Sequence, residues 1–176
     1  MEQKIMEGDI EARFDDALKE LEESLPKSNP AGCAEATLTN ILKILGIEEE
    51  LINNLMIPLS GGLGGYKSEK EWCGPCGAVL GGCAAVGAIL GGKDKRIMPL
   101  NVVPLAYLKS AQFAKEFEKE FGSVVCPTLS GYDFSNPAAM MEYMKEGVWG
   151  KKCYKYVLWA INNTRKLMKQ ELKKNW

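Results

Sequence analysis

The stretch from Glu71 to Gly92, EWCGPCGAVLGGCAAVGAILGG, constrains the fold more than any other part of the chain. Beyond Cys76 it holds only Gly, Ala, Val, Leu and Ile around one further thiol, Cys83. Read as a helix from about Cys76 to Leu90, it contains Gly77, Gly81, Gly82 and Gly87, each costing roughly 1 kcal/mol relative to alanine in a helix interior. Such a cost is tolerated where backbones must approach closely. Gly77, Gly81, Ala84 and Ala88 fall near one face and would let that happen. The run therefore predicts a slender central helix against which the remaining elements pack, around a compact cofactor or around one another. The alternative is a buried glycine-rich core helix whose thiols are incidental.

On either side the apolar residues recur with a helical period. Ile10, Phe14, Ala17, Leu18, Leu21 and Leu25 lie three and four apart among acidic and basic residues, the pattern of an amphipathic helix. The breaker-rich segment PKSNPAG follows. A second helix starts at Cys33, with Ala34, Leu38, Ile41, Leu42 and Leu45 as its stripe and Gly46 as its C-terminal cap. Glu48 to Ile57 reads as a short third helix stopped by Pro58, and the glycine pairs between Leu59 and Trp72 predict a flexible loop. After the central helix come a polar KDKR turn, an extended stretch from about Met98 to Val103, and a helix from Pro104 to Phe121. The apolar face expected there is Leu105, Leu108, Phe113, Phe117 and Phe121. The loop GSVVCPTLSGYDF carries Cys126 before Pro127, which biases the cysteine toward extended backbone. Asn136 and Pro137 predict the N-cap and first residue of a helix to about Glu146. The last helix begins near Lys151, with Cys153, Tyr156, Val157, Ala160 and Ile161 inward. Arg165, Lys166, Lys169, Lys173 and Lys174 crowd its end, where cations suit the negative helix pole. No segment has a two-residue period. The expected fold class is all-α, a compact bundle of about six helices with the Gly/Ala-rich helix at its centre.

With 46% hydrophobic and 26% charged residues, a 176-residue chain can bury a real core as one domain. The 22 basic and 23 acidic side chains nearly cancel, which removes the electrostatic case for nucleic acid. The opening MEQKIMEGDI lacks the apolar core of a signal segment, and the Gly74 to Gly92 run is too glycine-rich to favour lipid. A soluble, cytoplasmic protein without membrane insertion is expected. In a reducing compartment six cysteines serve metal binding or redox cycling rather than a static disulfide framework. The chain has no histidine. That excludes Ser-His and Cys-His nucleophile pairs, His-ligated zinc, and C-x-x-C-H or His-ligated haem. The remaining chemistry is that of sulfur, or of carboxylates and lysines without a motif to support it.

Cys33, Cys76 and Cys153 each fall in or beside the first turn of an expected helix, and Cys126 falls between two helices. Helix N-termini offer free amide donors and partial positive charge, which lower a thiol pKa and favour bound anions. Thiols brought together in this way could hold an iron-sulfur cluster or another soft metal, or keep a dithiol reactive. WCGPC at 72–76 matches the thioredoxin dithiol letter for letter, but GGLGGYKSEKE stands where that fold requires a hydrophobic strand. The thioredoxin fold is not expected. Cys73 and Cys76 remain a candidate thiol-disulfide pair in any fold.

GCAEA at 32–36, CGAVLG at 76–81, Cys126 in FGSVVCPTLSGYDF and Cys153 in CYKYVLWAINN form one ordered pattern. From about Asn29 to Asn163 the chain resembles the redox-active proteins named for their C-GCAxxG-C-C motif, helical proteins or modules with four characteristic cysteines. GCAAVG at 82–87 also fits the second motif element, and Cys76 is preferred because it stands at the helix start after a glycine-rich loop. The resemblance implies a redox-active or metal-binding role, and some relatives join such a module to haem and an iron-sulfur cluster. This chain lacks haem-binding motifs, so no haem is expected. The combined expectation is an iron-sulfur cluster, its type open, on Cys33, Cys76, Cys126 and Cys153. Cys73 would be a fifth ligand candidate or a resolving thiol, and Cys83 a packing residue or part of a second site. The alternatives are a cofactor-free thiol-disulfide oxidoreductase using Cys73 and Cys76, and a soft-metal binding protein. A redox partner protein is implied, and the small-residue helix is compatible with a homodimer. The single domain would comprise an N-terminal helix and linker (1–28), the cysteine module (29–163) and a basic helix end (164–176).

Overall fold

The computed structural model describes residues 9–28, 30–94 and 96–176. Residues 1–8, Asn29 and Lys95 lie outside them, and with them part of the expected linker and of the KDKR turn. Phe14 of α1 (Ile10–Ser24) has no exposed surface, and Ile10 and Leu25 are nearly as deep. The first apolar stripe thus fixes α1 onto its neighbours, as expected. α2 (Cys33–Ile44) is buried on most sides and closes at Gly46, whose φ of 76° is the left-handed conformation that favours glycine. α3 (Glu50–Met56) leads into a 3₁₀ turn, Ile57–Leu59, that contains Pro58.

The central helix α4 (Gly77–Gly91) packs against α2, against α5 (Val103–Phe121) and against α8 (Tyr154–Leu167). Its glycines are spaces that other atoms fill. A Cβ on Gly81 would lie 2.7 Å from both the Ala34 carbonyl oxygen and Thr37 Cβ, and one on Gly77 would lie 2.5 Å from Cys33 Sγ. On another side, a Cβ on Gly82 would run into the Phe113 ring. The small residues therefore serve two neighbours rather than one face: Gly77 and Gly81 admit α2, Gly82 admits α5, and Ala84 and Ala88 remain half-buried.

Phe113 and Phe117 are fully buried and meet Trp159 of α8 with ring centroids 5.7 and 5.3 Å apart, while Phe121 meets Tyr156 at 4.8 Å. The expected aromatic ridge is core, and burying each such ring is worth about 1.5–3 kcal/mol. Leu108 is a correction, being 69% exposed. Five residues before Phe113 place it about 140° away around a helix. Lys109 is in line with the phenylalanines instead, and its ammonium donates to the Leu167 carbonyl at 3.0 Å. The stretch expected to be extended up to Val103 ends instead in a 3₁₀ turn, Leu100–Val102, that leads directly into α5.

Cys126 also departs from expectation. It opens a short helix, α6 (Cys126–Ser130), closed by Gly131 at φ 86°. Pro127 lies in the first turn, where its missing N–H has no helical partner to lose. Asn136 caps α7 (Pro137–Lys145) as expected, its Oδ1 accepting from the Ala138 amide at 3.0 Å. The last helix is not continuous: a π-turn, Trp149–Cys153, precedes α8, and Met168 interrupts it before α9 (Lys169–Asn175). Among the described residues there is no strand, only isolated antiparallel bridges between Lys67 and Cys73 and between Pro75 and Val125. The fold is all-α, and no helix among the described residues is long and apolar enough to cross a membrane.

Candidate functional site

Cys33, Cys76, Cys126 and Cys153 line one cavity of about 450 Å³. Four separate segments deliver them. Cys33 is the first residue of α2, Cys76 the residue that caps α4, Cys126 the first residue of α6, and Cys153 the last of the π-turn. Cys153 thus sits a full turn inside its helix rather than at the expected N-terminus. π-turns of this kind are frequent at functional sites.

Backbone pairing clamps two of the thiols together. The Cys76 amide donates to the Val124 carbonyl at 2.7 Å, and the Cys126 amide to the Gly74 carbonyl at 3.1 Å. The segment expected to be a flexible loop supplies the opposite wall. Gly61, Gly62, Leu63 and Gly64 all have φ between 58° and 73° and ψ between 25° and 51°, which makes Ser60–Gly65 a left-handed helical turn. L-residues lose roughly 1–2 kcal/mol each in that conformation, so three glycines in four positions make it affordable. Packing then holds it: a Cβ on Gly62 would be 3.0 Å from Cys126 Cβ, and one on Gly65 would strike the Phe134 backbone.

The electrostatics single out Cys33. Its pKa falls from 9.0 to about 6, chiefly because the Cys76 thiol donates a hydrogen bond to it, against an opposing penalty from burial. The Gly61 and Gly77 amides and the Ser60 hydroxyl donate as well. Ser60 also accepts from the Ala34 amide at 3.1 Å. Cys76, as the donor, is held well above its usual range by that hydrogen bond, and burial adds to it. Burial pushes Cys126 up to about 12, with the charges on Cys33 and Cys153 adding to it. Cys153 rises to about 11, again first through burial, although a hydrogen bond from the Tyr143 hydroxyl opposes the rise. At neutral pH the cavity therefore holds one thiolate and three thiols. Without a cation the thiols resist further ionisation, because each new charge would face the first in apolar surroundings. Among the described residues, no three Cys, Asp or Glu side chains are close enough together to hold a single metal ion.

Two cysteines lie elsewhere. Cys83 Sγ donates to the Ser110 carbonyl of α5 at 3.7 Å, between α4 and α5. Seven helical residues would have kept it on the face of Cys76, but Cys76 caps the helix with ψ 133° and does not follow its rotation. Cys73 does not line the cavity, and its Sγ donates to the Glu71 carbonyl at 3.7 Å. It precedes Cys76 along a segment that makes isolated antiparallel bridges at Cys73 and Pro75. The thiol hydrogen-bonded to Cys76 is Cys33.

Several site residues lie outside the cysteine motifs. Ser60, Gly61, Tyr143 and Trp149 all line the cavity. The spacing of the glycines in SGGLGG, read as a demand for left-handed backbone rather than as flexibility, would have indicated the turn.

Residues 31–167 match the family described as "Putative redox-active protein (C_GCAxxG_C_C)". No curated protein and no solved structure matches the chain. The family match spans well over half of the chain and all four cavity cysteines, so this protein belongs to the C-GCAxxG-C-C family of redox-active proteins.

Proposed function

We propose that this protein is an electron-transfer protein that carries an iron-sulfur cluster on Cys33, Cys76, Cys126 and Cys153. The observation that carries the reading is the arrival of four cysteines, from four separate segments, at one cavity. The donor set suits the group. Four sulfurs in an apolar cavity cannot all ionise beside one another unabated, and a cationic core would relieve that repulsion. When bound, such a cluster stores and releases single electrons.

The chain's own residues would set its properties. The Gly61 and Gly77 amides and the Ser60 hydroxyl direct hydrogen bonds at the Cys33 sulfur, and the Tyr143 hydroxyl directs one at Cys153. Hydrogen bonds to ligating sulfurs tune a cluster's potential. A redox partner protein and a reducing compartment such as the cytoplasm belong to this reading.

The Cys33–Cys76 hydrogen bond favours a second reading, a dithiol that works without a cofactor. Here the Cys33 thiolate and the Cys76 thiol would join in a disulfide, giving up two electrons to an acceptor disulfide and releasing the Cys76 proton. The visible spectrum of anaerobically purified protein, with iron and sulfide assayed, separates the two. Under the cluster reading, changing any of the four cavity cysteines to serine bleaches the absorption, and Cys83→Ser retains it. Colourless, iron-free protein with a reversible Cys33–Cys76 disulfide would overturn it.

A further inference from the structure

The cavity is larger and less polar than four sulfurs need. Among the described residues no Asp, Glu, Lys or Arg side chain lines it. Four aromatic residues do: Phe134, Tyr143, Trp149 and Tyr156. Their polar tips are already committed to the protein. The Trp149 indole N–H donates to the Leu25 carbonyl at 2.7 Å, the Tyr156 hydroxyl to the Leu129 carbonyl at 3.1 Å, and the Tyr143 hydroxyl to Cys153. What these side chains offer to the cavity is therefore ring surface rather than hydrogen bonds. Met140 and Met144, one helical turn apart on α7, also line it while staying 43% and 64% exposed, which puts the mouth beside that helix. Thioether side chains adapt their shape to varied apolar surfaces.

A volume of about 450 Å³ falls within the roughly 300–1,000 Å³ of small-molecule sites, which are mostly apolar and orient a ligand with few polar groups. An anion entering this one would find no cationic side chain in the lining, and a cation would find only the Cys33 thiolate, whose sulfur already accepts hydrogen bonds from Cys76, Gly61, Gly77 and Ser60, so either ion would be desolvated with little compensation. We propose that the cavity binds an uncharged, largely apolar organic molecule of about two fused aromatic rings, seated against the aromatic wall beside the thiols. The inference rests on the same site as the proposed redox centre and names the class of molecule that reaches it.

Two probes of one shape isolate the charge argument: neutral 2-naphthol and anionic naphthalene-2-sulfonate, titrated calorimetrically into anaerobically purified full-length protein. 2-Naphthol should bind saturably at about one per chain, and the sulfonate at least tenfold more weakly. Two substitutions at exposed lining positions leave the core intact. Ala31→Trp fills the mouth and Met144→Asp charges it, and each should weaken 2-naphthol binding about tenfold or more. Absence of saturable 2-naphthol binding, equal binding of the sulfonate, or binding that neither substitution weakens would overturn the proposal. Iron and sulfide assayed on the same samples keep the two readings apart. Iron-free protein that binds 2-naphthol removes the cluster alone, and cluster-loaded protein that does not bind it removes this inference alone.

Discussion

Cys33 gives the protein an acid-sensitive term of predictable sign. In the iron-free fold it releases its proton at about pH 6 instead of 9.0, so unfolding between those values takes up a proton. The stabilisation from its thiolate is complete above pH 9.0, shrinks as the pH falls, and is gone below about 6. Cys126 and Cys153 act oppositely. Raised to about 12 and 11, they keep protons that the unfolded chain gives up, so above pH 9.0 stability declines. The thiols together place their optimum near pH 9. Urea unfolding of the iron-free protein and of Cys33→Ser should therefore diverge with rising pH between 6 and 9, by at most about 1.4 kcal/mol per unit. A difference independent of pH would mean that Cys33 is not ionised in the fold.

Among the elements, α4 offers a test with its own control. Alanine at Gly81 gains roughly 1 kcal/mol of helix propensity, but its methyl group would lie 2.7 Å from an α2 carbonyl, and overpacking of this kind costs about 1–3 kcal/mol. Gly87, in the same helix, faces only Met98 Cε at 3.8 Å. Gly81→Ala should lower the urea midpoint and Gly87→Ala should raise it, and the same sign for both would remove the close-packing account. The contrast also marks how far the sequence could be read. The helical stripes were legible because burial imposes a 3.6-residue period, and the four-cysteine order was legible because its motifs are local in the chain. What stayed hidden depends on tertiary partners. GCAAVG fits the motif as CGAVLG does, and the preference for Cys76 rests on its place at the helix start; the structure adds the capping conformation with which it enters the cavity. SGGLGG looks flexible until Cys126 and Phe134 are seen filling the spaces its glycines leave. Cys126-Pro127 carried two opposed signals, the residue before proline being biased to extended backbone while proline itself suits a first helical turn. The helix prevailed there.

Taken as a whole, the molecule fastens its redox module with parts that lie outside the family match. α1 precedes residue 31, yet Asp15 pairs with Arg165 and Glu11 with Lys169, which ties α1 to the last two helices. The turn after α1 reaches the site itself: Leu25 accepts from Trp149, and a Cβ on Gly150 would be 2.5 Å from the Pro26 carbonyl oxygen. Between Trp149 and Cys153 the π-turn then sets an angular phase. A π-turn holds one residue more than an α-turn, and one residue is worth about 100° of rotation. That extra residue lets Trp149 stay docked on Leu25 while Cys153 still lines the cavity. Lys151 is exposed and within the turn, so removing it should relax the segment to ordinary α-helix at little cost in helical content. The two side chains would then fall out of phase, and either the indole leaves its carbonyl or the fourth sulfur leaves the cavity. Under the cluster reading, a Lys151 deletion should accordingly keep a helical circular dichroism spectrum while losing either bound iron or the buried-indole fluorescence of Trp149. Retention of both would mean that the helix slides to absorb the missing residue. In genetic terms, the chain should tolerate changes of residue identity at Lys151 and Lys152 but no change of length across 149–153.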